Sequence, residues 1–113
     1  MPIQAWSDHI WLVTLADEPA LSDDLRAAHD RIAAAPRCPD LVIDLAALRQ
    51  VNSTNLAQLL RLRKTAIMRD AAIRLAGPSD KVWAVFLTTG LDKIFECRSD
   101  VATALADLQV SAR

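Results

Sequence analysis

Leu41-Val42-Ile43-Asp44-Leu45 is the stretch that most constrains what this chain can fold into. It is almost continuously apolar, as a strand covered on both faces must be, so the chain has to supply packed structure above and below a sheet. Asp44 breaks the run near its end. No second carboxylate stands close to it in sequence, so its expected role is to accept hydrogen bonds from the following loop. That loop leads to Val51-Asn52-Ser53-Thr54-Asn55, after which Leu56, Leu59, Leu60, Ala66 and Ile67 form an apolar stripe on a helix running to about Arg69.

Four consecutive small polar residues at a strand-to-helix junction admit two readings. Their side-chain oxygens can accept from the unpaired N–H groups of the helix, so Asn52 or Ser53 can serve as a plain cap, which is the simpler reading. They also set two hydroxyls at the positive end of the helix dipole, where a phosphate is tolerated, so any function is expected here. On the residues alone both readings stand. Downstream, Arg61, Arg63, Lys64 and Arg69 make the helix basic in a chain with 13 basic and 14 acidic residues. Such a face is ordinarily solvated; the alternative reading is a contact surface for an acidic partner.

The remaining elements are read from the same periodicities. Residues Ile3 to Trp6 and Ile10 to Leu15 are β-prone and flank Ser7-Asp8-His9, which suits a hairpin turn with His9 solvated. After Pro19, a helix is expected to begin following Ser22, burying Leu21, Leu25, Ala28 and Ile32 and leaving Arg26, His29, Asp30 and Arg31 to solvent. Pro36 and Pro39 end it. A strand over Ala72 to Ala76 gives way at Gly77-Pro78 to a helix capped by Ser79 or Asp80, with Trp83 and Phe86 read as core rather than as a ligand pocket. Gly90 closes that helix. Leu91, Ile94 and Phe95 are expected in the core, Glu96 to Arg98 as a short strand, and a last helix follows from Asp100. Strands alternate with helices, so the expected fold class is α/β: one domain over residues 1–113, a mostly parallel sheet with helices packed on it, and an N-terminal β-hairpin.

Composition excludes several functions. With 52% apolar residues and two glycines the chain is built to fold, and two glycines cannot make a phosphate-binding loop of the G-x-x-x-x-G-K or G-x-G-x-x-G kind. There is no G-x-S-x-G elbow around Ser53, and neither histidine stands in a triad relation, so an enzyme is not expected. Cys38 and Cys97 lack metal-ligand spacing and are expected to be free, partly buried thiols; no metal and no cofactor is expected. The near-zero charge argues against nucleic-acid binding, no apolar run suffices for membrane insertion, and no secretory signal is read, so a cytoplasmic location is expected.

The order of elements and two local patterns resemble the STAS domain family, the anti-sigma-factor antagonists and their relatives, from about Ile10 to Leu108. The pieces are Leu41-Val42-Ile43-Asp44-Leu45 followed by Val51-Asn52-Ser53-Thr54-Asn55-Leu56, and then Leu87-Thr88-Thr89-Gly90-Leu91-Asp92-Lys93-Ile94-Phe95. The resemblance implies a regulatory binding module that undergoes partner switching. Its partner would be an anti-sigma factor or a serine/threonine switch kinase of the histidine-kinase-like fold, and phosphate would be accepted on Thr54, with Ser53 before it. The implied contact surface is Asn52, Ser53, Thr54, Asn55, Gln58 and Arg61. Asn52 stands where the family has an acidic residue and Asn55 where it has glycine. These departures motivate the rival expectation, a constitutive accessory STAS subunit of a larger complex such as a lipid-transport ATPase, without phosphorylation. The oligomeric state is left open.

Overall fold

The computed structural model describes residues 3–111. Strands β1 (Ile3–Ala5) and β2 (Ile10–Thr14) form the expected antiparallel hairpin. The chain then alternates: α1 (Ala20–Ala34), β3 (Asp40–Asp44), α2 (Ser53–Met68), β4 (Ile73–Ala76), α3 (Asp80–Thr89), a short 3-10 helix (Leu91–Lys93), β5 (Cys97–Arg98) and α4 (Val101–Ser111). The five strands lie in the order β1-β2-β3-β4-β5, and every pair after the first is parallel. The fold class, a mostly parallel sheet with packed helices and an N-terminal hairpin, is the one expected from the alternation.

Strand β3 is central, and its run of apolar residues feeds both faces. Leu41 and Ile43 pack into the larger core beneath α1, α2 and α3, while Val42 packs into the smaller core with Ala104, Leu105 and Leu108 of α4. Asp40, buried at the start of the strand, accepts from the backbone N–H of Ala72 at 2.9 Å. Asp44 accepts from the N–H of Ala46 at 3.0 Å, the loop-bonding role expected of it. Phe86 anchors α3: its ring stacks on Trp83 at 5.5 Å and meets Phe95 edge-on at 5.9 Å. Gly90 takes the left-handed conformation, φ 80°, and ends α3 as expected.

Several expectations need correction, each for a tertiary reason. Helix α1 starts at Ala20, before Ser22, because the Glu18 carboxylate already accepts from the N–H and the hydroxyl of Ser22. Ile67 and Ile94 are exposed rather than core (45% and 41%): on α2 the inward position is taken by Leu62, unmarked in the stripe, and in the turn after α3 by Leu91 and Phe95. His29 is not solvated: it lies between α1 and α2 with Nε2 2.9 Å from the Thr65 hydroxyl. Arg69 is not part of a free basic face either, for its guanidinium donates to the carbonyls of Ile32 and Ala35 at the end of α1. Strands β1, β2, β4 and β5 differ from the expected bounds by a single residue at one end, and β3 is shifted by one residue at both.

Helix α4 is tied to the sheet by charge. Asp107 accepts from Arg74 at 2.7 Å and from Arg98 at 3.0 Å, and the Arg74 hydrogen bond is the main cause holding its carboxyl below the ordinary value. A depressed folded-state pKa contributes stability above the unfolded value, and that stability is lost as pH falls through the folded one. Asp107→Asn therefore flattens the acid side of the stability curve, from about pH 5 downward. Urea midpoints taken stepwise in pH check this: parallel acid limbs for wild type and variant would remove Asp107 as a cause. Cys38 and Cys97 are free, as expected, and their partial burial raises both thiol pKa values.

Candidate functional site

The junction after β3 builds its geometry from two asparagines. Asn52 is the N-cap of α2; its side-chain oxygen accepts from the N–H of Asn55 at 2.8 Å. Asn55 returns the bond, its Oδ1 accepting from the N–H of Asn52 at 3.0 Å. Each asparagine satisfies one of the donors a helix start leaves unpaired, which is a reciprocal capping box. The plain-cap reading of Asn52 is thus correct, and it does not compete with the second reading. The cap engages the N–H groups of Asn52 and Asn55, and no hydrogen bond among the described residues claims those of Ser53 and Thr54. Both hydroxyl-bearing residues are exposed at the positive end of the helix.

Asn55 behaves differently from its neighbours. It is 1% exposed, so the partner-contact role expected for it does not fit the structure. Its Nδ2 faces the start of α1, 3.5 Å from both Glu18 Oε2 and Ser22 Oγ. Gln58 is also turned inward, donating through Nε2 to the Ser22 carbonyl at 3.0 Å, while its Oε1 is buried without a partner. Asn52, Ser53, Thr54 and Arg61 are exposed and remain on the outer surface. The side chains named from the sequence therefore divide into an inner frame, Asn55 and Gln58, and an outer set that a partner can reach.

Sequence reading missed the contribution of the β2–α1 loop. Parallel register pairs Thr14 with Asp44, so the segments leaving β2 and β3 emerge side by side. That brings Asp17 to the β3–α2 loop, where its Oδ1 accepts from the Arg49 N–H at 2.9 Å, and brings Glu18 beneath Asn55. Glu18 is held below the ordinary carboxylate range chiefly by the Ser22 hydroxyl, with the Ser22 N–H adding to it. Together with the start of α3 these loops enclose a cleft of about 470 Å³ lined by Asp17, Glu18, Arg49, Asn52, Asn55 and Lys81 among others. Pairings separated by more than thirty residues (Arg49 to Asp17, Asn55 to Glu18) leave no local signal in the chain.

What the arrangement can do chemically is limited and specific. Among the described residues no group of three or more His, Cys, Asp or Glu side chains could hold a metal ion. No helix among them is long and apolar enough to cross a membrane. The junction instead presents two hydroxyls on a rigid, doubly capped helix start. A phosphate carried there would sit against unpaired backbone N–H groups and the positive end of the dipole.

Comparison with known proteins bears on the fold that carries this junction. A candidate anti-sigma factor antagonist from Thermotoga maritima superposes with TM-score 0.82 at 15% identity, covering 96% of this chain and 93% of that one. A serine-to-glutamate variant of Moorella thermoacetica RsbS gives 0.80 at 23% identity, with 100% of both chains covered. A sulfate transporter family protein from Wolinella succinogenes gives 0.74 at 15% identity, covering 90% of this chain and 84% of that one. At these identities the likeness establishes a shared fold. No curated protein matches the sequence. The family model of the STAS domain matches residues 20–104, from the first residue of α1 into the first turn of α4. The resemblance drawn from the strand, the polar junction and the Thr-Gly-Leu segment is thereby substantiated: this chain belongs to the STAS domain family.

Proposed function

We propose that this STAS domain is a non-enzymatic regulatory binding module of the anti-sigma-factor-antagonist kind, acting in the cytoplasm. Its partner is an anti-sigma factor or a serine/threonine switch kinase, and phosphorylation of Thr54, or of Ser53, ends the complex. The observation that carries this reading is the exposure of Ser53 and Thr54 on the first turn of α2, over a frame in which Asn55 and Gln58 are bound inward. A phosphoryl group adds about −1.5 to −2 charges at neutral pH where a partner must pack closely. The same group is stabilised in the free domain by the helix start.

Two measurements test it. A phosphopeptide mass map of protein recovered from its own cells is expected to carry phosphate on Thr54 or Ser53. With the co-purified partner, Thr54→Glu is expected to weaken binding by roughly tenfold or more, while Thr54→Ala stays close to wild type. Equal affinity for all three proteins in calorimetry sinks the switch.

The rival reading is a constitutive accessory subunit. It draws on the asparagine pair, which fixes the junction without a carboxylate, and on the fold's occurrence in a sulfate transporter family protein. Unmodified peptide under all growth and stress conditions, together with stable co-purification with a transport complex, favours it.

A further inference from the structure

The C-terminal half of α2 carries a second surface, separate from the junction. From Ser53 to Met68 the helix contains no acidic residue, and its Arg63 and Lys64 enter no ion pair among the described residues. Beside them Ile67 and Met68 are 45% and 74% exposed, and Ile94, after the 3-10 helix, is 41% exposed. A cleft of about 190 Å³ separates the two elements, lined by Arg63, Ile67, Ile73, Arg74, Ile94 and Glu96. Two of its charges are already matched. Arg74 pairs with Asp107 at 2.7 Å and Glu96 with Arg98 at 3.2 Å. What is left unmatched is cationic, Arg63 at the rim and Lys64 next to it, around an aliphatic pair that water covers poorly.

We propose that this cleft docks an acidic amphipathic segment of a partner protein. One aliphatic side chain enters between Ile67 and Ile94, and carboxylates pair with Arg63 and Lys64. Charge selects the occupant, since a basic or neutral segment leaves both cations uncompensated at the contact. Neither α1 nor α4 of a second copy offers an acidic helix face. The exposed acids of α1, Asp23 and Asp30, are interspersed with Arg26 and Arg31, and the single carboxylate of α4, Asp107, is held by Arg74 and Arg98. The cleft lies beside the start of β4, at the opposite end of the 16-residue helix from Asn52, roughly 20 Å away. Docking there is therefore independent of the state of Thr54, and the inference does not rest on the phosphorylation reading.

The test uses a synthetic amphipathic peptide with Leu at helical spacing and Glu elsewhere, and its counterpart with Lys for Glu. Fluorescence anisotropy with the intact protein is expected to show roughly tenfold or greater preference for the Glu peptide, declining with salt. Amide shifts in NMR are expected at 63–68 and at Ile94. Ile67→Asp and the pair Arg63→Glu with Lys64→Glu are each expected to lower Glu-peptide affinity by roughly tenfold, and the charge-reversed pair to gain the Lys peptide. Gln4→Asp, exposed on the edge strand β1 three strands away from β4, is expected to leave binding unchanged. All these positions are at least partly exposed, and thermal melts verify folding of each variant. No binding, equal affinity for the two peptides, or shifts mapping elsewhere overturns the proposal. So does concentration-dependent self-association that Ile67→Asp abolishes, which would assign the cleft to a second copy.

Discussion

Phe86→Ala is expected to lower the free energy of unfolding by about 3–5 kcal/mol, the largest loss of any single substitution considered for this domain. The ring is fully buried and joins two pieces of the chain, stacking on Trp83 of its own helix and meeting Phe95 beyond the 3-10 helix. Truncation removes the transfer free energy of the ring and leaves a void that α3 and the following turn cannot fully close, because the larger core packs around it. Phe86→Leu retains most of the volume and is expected to cost clearly less, about 1–1.5 kcal/mol. Urea unfolding with an unchanged slope reads both values. A loss below about 1 kcal/mol for the alanine variant would mean that α3 collapses into the space, and that the aromatic trio does not hold it. Lys81, at the start of α3, lines the cleft at the junction, so loosening α3 also disturbs one wall of the site.

Asn55→Ala is the second large effect, expected at about 2–3 kcal/mol. The substitution removes the acceptor for the Asn52 N–H and takes Nδ2 away from Glu18 and Ser22, all at a position 1% exposed. Loss of a cap alone costs about 1 kcal/mol, and the polar groups left without their partner add to it. Because Asn52 and Asn55 bond each other reciprocally, their effects are not additive. The double variant is expected to lose less than the sum of the singles. Asn55→Asp discriminates further: it keeps the acceptor but sets a second carboxylate beside Glu18, so it is expected to be less stable at neutral pH and to recover as the pH falls. Additive losses at 52 and 55, again read by urea unfolding, would mean that the capping box is not a unit.

The junction explains how the two departures from the family pattern are accommodated. Asn52 serves as cap without a negative charge, and Asn55 fills with its side chain a position where the resemblance leads one to expect glycine. That side chain points into the protein, so it does not obstruct the exposed hydroxyls of Ser53 and Thr54. This inward frame also takes Asn55 out of the surface and ties the half-buried Gln58 to α1, while Asn52, Ser53, Thr54 and Arg61 stay exposed.

What the chain's own order determined was the architecture. The run at Leu41 to Leu45, the helical stripe from Leu56, the caps at Asn52 and Ser79 and the stop at Gly90 all rest on spacings of a few residues, and those forces act locally. Strands alternating with helices then leave few ways to bury both faces of β3. Only the tertiary structure decided which polar side chains meet. Glu18 lies under Asn55 because parallel pairing of β2 with β3 aligns the ends of two distant strands. Arg69 turns back onto α1, and His29 is covered by Thr65, because the two helices pack side by side. Ile67 and Ile94 fit a helical or core pattern yet remain in water, since burial depends on what the rest of the chain brings to cover them. Periodicity specifies a face, whereas a contact depends on two segments arriving together, and that second condition is a property of the fold.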